Sequence, residues 1–271
     1  MSGAVIVLSV VLLGLLPVPL QAYASTIEDA QRFFYGGDYE EATAVALALS
    51  AERPDDLAVA ELHSSILLFK IKRALRDPAD AEKTRDLKRC DACPALMTAF
   101  FEETLRGQTL ARARLKANPA DEHALFFLGK LDLNYVWLQL GTLGRKTGWN
   151  EYWEARRSLD RVLKMNPAHG RARVARAWVD YIVGTKVPRG VRWLLGGGNK
   201  KRGLLAVRQM VEAGGSDFFV QVEALFALWD MQVREREVSA AVATAQLLAR
   251  DFPENRELHR FLTTQLTAVD R

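Results

Sequence analysis

Cys90 and Cys93 are the only cysteines, and they stand three positions apart in Cys90-Asp91-Ala92-Cys93-Pro94. Thiols at that separation can close a local disulfide, cycle between dithiol and disulfide, or stay free. Redox cycling calls for a thioredoxin-like βαβ setting, and no run past residue 25 alternates polar and apolar residues as a strand would. A structural zinc needs four ligands; His63, His123, His169 and His259 lie far off without ligand spacing. Haem attachment needs a histidine after the second cysteine, where Pro94 stands. The expectation is a structural disulfide that pins the start of the helix after Pro94, with a redox pair or free thiols as alternatives. No metal and no cofactor are expected.

Other catalytic signatures are missing from the sequence: no G-x-S-x-G, no H-E-x-x-H, no P-loop, no dinucleotide fingerprint after a strand. Gly196-Gly197-Gly198 before Asn199-Lys200-Lys201 suggests a phosphate cradle, but without Walker spacing or a preceding strand it reads as a loop between helices. Glu40-Glu41 and Glu102-Glu103 read as solvated helix faces. An enzyme is not expected.

Ala4–Leu20 is apolar apart from Ser9, broken by Gly14, Pro17 and Pro19, and followed by Ala22-Tyr23-Ala24. Small residues in that pattern mark a cleavage site, so residues 1–24 read as a secretory signal peptide cut after Ala24, and 25–271 as the mature domain. The leader lacks Lys and Arg. The alternative is an uncleaved anchor, although the run is shorter than the roughly 20 residues that span a bilayer. The expected location is periplasmic or secreted. No charge precedes Glu28, so the mature chain keeps the whole net charge of +4. Export removes nucleic acid as the natural partner of a basic chain and leaves anionic lipid, wall polymers or acidic proteins.

Helical periodicity fills the rest. In Gly37–Pro54 a turn is followed by Glu40-Glu41 in a first helical turn, then Ala42, Ala46 and Leu49 on one face, then a proline stop. A small residue with a stop twelve positions on recurs as Ala42/Pro54, Gly107/Pro119, Ala155/Pro167, Gly203/Gly215 and Ala241/Pro253. Four past the small residue stand Ala46, Ala111, Leu159, Val207 and Ala245; ten past each of the first four stops stand Ser64, Gly129, Ala177 and Leu225. The spacing predicts an all-α chain of about five helical hairpins with corners at those stops, closed by a capping helix over Glu254–Val269. Gly37, Tyr39, Ala42 and Pro54 resemble the second helix of a tetratricopeptide (TPR) repeat. The successive small residues lie 65, 48, 48 and 38 apart, against about 34 in an ordinary TPR. Extra residues are therefore expected at 77–94, 141–150 and 186–199. Residues 192–205 also faintly resemble the Iml2/TTC39-type TPR proteins.

The TPR resemblance implies an α-solenoid whose first helices line a concave groove. It places His123, Lys130, Asn134, Arg171, Trp178, Tyr181, Phe226 and Trp229 near that surface, with Lys130, Asn134, Arg171, Trp178, Tyr181 and Trp229 as candidate binding residues. The alternative for the tryptophans is core filling. The implied function is an exported scaffold binding a protein or peptide. A small-ligand component of an uptake system is the second reading, and a thiol oxidoreductase the third. One further feature is basic: Lys186, Arg189, Arg192, Lys200, Lys201 and Arg202 flank Trp193-Leu194-Leu195. An apolar tip with a basic rim suits an anionic membrane; a solvated loop folded back on the helices is the alternative.

Overall fold

The computed structural model describes residues 26–75, 87, 90–215 and 217–269. The expected leader, its cleavage site and most of the 77–94 insertion lie outside the described residues. Every regular element described is helical: α1 (Ile27–Gly36), α2 (Tyr39–Glu52), α3 (Leu57–Ala74), α4 (Cys93–Ala117), α5 (Glu122–Val136), α6 (Trp149–Met165), α7 (Gly170–Lys186), α8 (Lys200–Ala213), α9 (Phe218–Glu235), α10 (Val238–Asp251) and α11 (Arg256–Val269). A π-helical turn, Trp137–Thr142, extends α5, and a 3-10 turn, Arg189–Leu195, follows α7. None of the described helices is long and apolar enough to cross a membrane.

All five expected corners fall where the stops put them. Each joins an even helix to the next odd one through four residues, and each carries Pro54, Pro119, Pro167, Gly215 or Pro253. The reason is local. Proline lacks the amide that would continue the helix and fixes φ for a tight turn. In the four proline corners the turn is closed by the amides of Asp56, Asp121, His169 and Asn255, which donate to the carbonyl three residues back. Those four residues and Asp217 then cap the next helix, their side chains accepting from its first free amides.

The small residues act at the same register in every unit. Ala42, Gly107, Ala155, Gly203 and Ala241 are buried, as are Ala46, Ala111, Leu159, Val207 and Ala245 four residues on. A Cβ on Gly203 would lie 2.5 Å from the Ala177 carbonyl oxygen and 2.8 Å from the Tyr181 amide nitrogen. These are backbone atoms that cannot step aside. Gly203→Ala is therefore expected to cost about 2–3 kcal/mol in urea unfolding, whereas Gly190→Ala, which meets open space, leaves the midpoint unchanged to within about 0.5 kcal/mol.

Each helix packs against its successor, and the odd helices also meet one another: α1 with α3, α3 with α5, α7 with α9. Phe126 of α5 lies 4.6 Å from His169 at the head of α7, ring to ring. The chain then returns on itself. Tyr35 of α1 stacks on Phe226 of α9 at 5.3 Å, and its carbonyl accepts from Asn255 Nδ2 of the last corner at 2.7 Å. The odd helices α1, α3, α5, α7 and α9 thus surround a common centre, and the inner face is closed where an open groove was expected.

The longer connections between α5 and α6 and between α7 and α8 sit where extra residues were expected, as does the partly described one before α4. The cysteine pair is joined as a disulfide, with Cys93 buried at the head of α4 among Leu67, Leu68, Ile71, Phe100 and Leu138. The glycine loop cradles a cation: the carbonyls of Leu195, Gly196 and Gly197 accept from the Arg156 guanidinium. A phosphate loop presents amides instead.

Candidate binding surface

Residues seven or eleven apart share a helix face. Four helices use that rule to build layers around the centre. The first layer is ionic: Glu61 of α3, Lys130 of α5, Arg171 of α7 and Glu223 of α9. Arg171 Nε donates to Glu223 Oε2 at 2.8 Å, and its terminal nitrogen to Glu61 Oε2 at 3.3 Å. Lys130 Nζ donates to the other Glu223 oxygen and lies 3.8 Å from Glu61 Oε1. Ser65 also donates to Glu61, at 2.9 Å. Two acids and two bases leave the quartet neutral, which is what lets it stand in a water-poor centre. Burial would raise the Glu223 pKa, but Lys130 and Arg171 outweigh it and hold the carboxyl at about 2. Burial works against the charge on Arg171, yet Glu223 and Glu61 push its pKa well above the ordinary value.

Further residues extend the ionic layer along the same faces. Four residues along, Asn134 donates to Ser65 at 3.0 Å. Seven or eleven along stand Lys72, Trp137, Trp178 and Arg234. The two indoles lie 5.6 Å apart; Arg234 sits over both, at 5.9 Å and 5.8 Å, and Lys72 is 5.7 Å from Trp137. Cations above indole faces gain about 0.5–2 kcal/mol each. Tyr35 also reaches the centre, with its ring against Phe219, Phe226 and Phe252. Burial, and then the Glu223 charge, push the Tyr35 hydroxyl pKa well above its usual value.

Of the six candidate binding residues, Lys130, Asn134, Arg171 and Trp178 come together around the centre. Tyr181 and Trp229 stand in core clusters. The Tyr181 ring stacks under Trp178 at 5.5 Å, and its hydroxyl donates to Glu235 at 2.8 Å. Trp229 packs edge-on to Phe261 at 5.5 Å. His123 lies beside an open cleft of about 450 Å³ with Arg53, Pro54, Asp55, Asp56 and Arg114, at the α2–α3 corner and away from the tryptophans.

Sequence reasoning missed Glu61, Glu223, Trp137 and Arg234. The acids had a signal. Each is the lone charge in an apolar stretch, Leu57–Leu68 for Glu61 (where the other polar residues are His63, Ser64 and Ser65) and Phe218–Trp229 for Glu223, and carboxylates seldom enter such faces unpaired. Among the described residues no group of three or more His, Cys, Asp or Glu is placed to hold a metal ion.

The arrangement belongs to a wholly helical class of protein, as far as the described residues go. No family model, curated protein or solved structure matches the chain.

Proposed function

We propose that the chain is an exported, non-catalytic helical scaffold of the TPR-like solenoid kind, holding a protein or peptide segment at the end of its closed inner face where Arg234 stands exposed over Trp137 and Trp178. The observation that carries this reading is the layered inner face itself. Four odd helices project matched side chains inward at one register, Trp137 and Trp178 beneath Lys72 and Arg234 beside the ionic quartet. Aromatic faces rimmed by cations suit a segment bearing acidic and apolar side chains. The disulfide, together with the leader expected from the sequence, supports an oxidising compartment outside the cytoplasm.

A photo-crosslinking side chain placed at Lys72 or Arg234 in living cells tests this. The inner positions are expected to capture a discrete partner band that the outward positions Leu105 and Leu247, both exposed on even helices, do not. Equal capture from both sets, or none, would remove the inner face as the binding surface.

A further inference from the structure

The connection after α7 presents apolar side chains to water and is held firmly while doing so. Trp193 is 73 % exposed and Leu194 53 %. The backbone beneath them is tied down: Arg156 holds the carbonyls of residues 195–197, the Tyr152 hydroxyl donates to the Leu195 carbonyl at 2.8 Å, and Arg192 donates to the carbonyls of Val187 and Gly184 at 2.7 Å and 2.6 Å. A solvated loop folded back on the helices would bury these two side chains. Of Trp193, Leu194 and Leu195 it is the last that turns inward, against Tyr152, Val179 and Val183.

The neighbouring connection joins the same surface. Trp149, 45 % exposed, sits at the head of α6 with its ring against that of Tyr152, the residue that holds Leu195. The charge carried by the two segments themselves has one sign. No Asp or Glu stands between Asp180 and Glu212, nor between Asp132 and Glu151. Those intervals carry the exposed cations Lys186, Arg189, Lys201, Arg145 and Lys146. Lys200 and Arg202 are partly neutralised by Glu235 and Asp180; the other five have no acid beside them in the sequence. Tryptophan favours the headgroup level of a bilayer, and each cation near an anionic leaflet adds about 1 kcal/mol.

We propose that this end of the molecule, Trp193 and Leu194 with Trp149, together with the exposed Lys146, Lys186, Arg189 and Lys201 of the same acid-free intervals, is a docking surface for a membrane bearing anionic phospholipid. The contact is peripheral, separate from the inner face, and independent of the leader.

Hydrogen exchange on the full chain, with phosphatidylcholine vesicles containing or lacking phosphatidylglycerol, separates this contact from any hold by the leader, because it reports residues 187–199 directly. Protection of that segment is expected only with phosphatidylglycerol, and it should fade as salt is raised. Trp193→Ser with Leu194→Ser is expected to abolish it and weaken tip-dependent vesicle binding about tenfold or more, with an unchanged circular dichroism spectrum and melting temperature. Lys186→Gln with Arg189→Gln, which leaves the apolar tip intact, is expected to weaken it in the same direction. Equal protection on uncharged vesicles would overturn the proposal. So would no protection on either, or protection that appears without vesicles as protein concentration rises and so marks a second copy as the occupant.

Discussion

Glu223→Gln is expected to lower the melting temperature by about 10 °C. The substitution leaves Lys130 and Arg171 facing Glu61 alone, one uncompensated positive charge in a centre with little water. Breaking a buried pair in this way costs about 3–5 kcal/mol, and in a chain of this size each kcal/mol moves the midpoint by about 2–4 °C. The sign of the charge, more than the loss of a hydrogen bond, is the cause. Lys130→Met added to Glu223→Gln should therefore recover most of the loss, since it keeps the Arg171–Glu61 pair and restores neutrality. Additive losses in the double variant would show that the four groups do not act as a unit. The pH dependence follows the same logic. Glu223 holds its charge more readily folded than unfolded, at about 2 against an ordinary 4.5. Its contribution is fully present above the ordinary value and is lost as pH falls through about 2. Wild type and Glu223→Gln should converge in acid.

Asp132→Asn is expected to do the opposite and stabilise the protein at neutral pH, by roughly 3 kcal/mol. Asp132 is fully buried on α5. Its Oδ1 accepts from Gln108 of α4 at 2.7 Å, and Oδ2 has no partner. Arg112 stands 3.8 Å away, but it hydrogen-bonds Glu154 of α6 and so answers a different carboxylate. Burial, followed by the Glu154 charge, pushes the Asp132 pKa up to about 9, against the pull of Arg112 and Gln108. The folded protein thus carries this carboxyl protonated at pH 7, while the unfolded chain ionises it. With the folded pKa raised, the favourable contribution is complete below about 3.8 and disappears as pH rises through about 9. Between those limits this one group makes stability fall by about 1.4 kcal/mol per pH unit. Urea midpoints measured at pH 5, 7 and 8.5 should decline in the wild type and decline less in Asp132→Asn. Parallel curves would mean that Asp132 is ionised in the folded state.

Much of the architecture was legible in the sequence by itself. Pro54, Pro119, Pro167, Gly215 and Pro253 set the corners because a missing amide or a missing side chain ends a helix whatever surrounds it. Asp56, Asp121 and Asp217 restart the next helix by capping it within two or three residues. Ala42, Gly107, Ala155, Gly203 and Ala241 could be placed at helix contacts because only small side chains let two backbones approach, and that rule repeats with the chain. The Cys90–Cys93 disulfide was legible for the same reason, since both ends lie within one turn.

Only the tertiary structure decided what meets at the centre. Lys130 and Glu223 are 93 residues apart, Arg171 and Glu61 are 110 apart, and Asn255 reaches Tyr35 across 220. No local preference selects such pairs. They depend on how all the intervening helices are oriented, until Phe226 of α9 meets Tyr35 of α1. The exposure of Trp193 was undecided for a related reason: its loop could have folded back until Arg156 and Tyr152, about forty residues earlier, held the backbone beneath it.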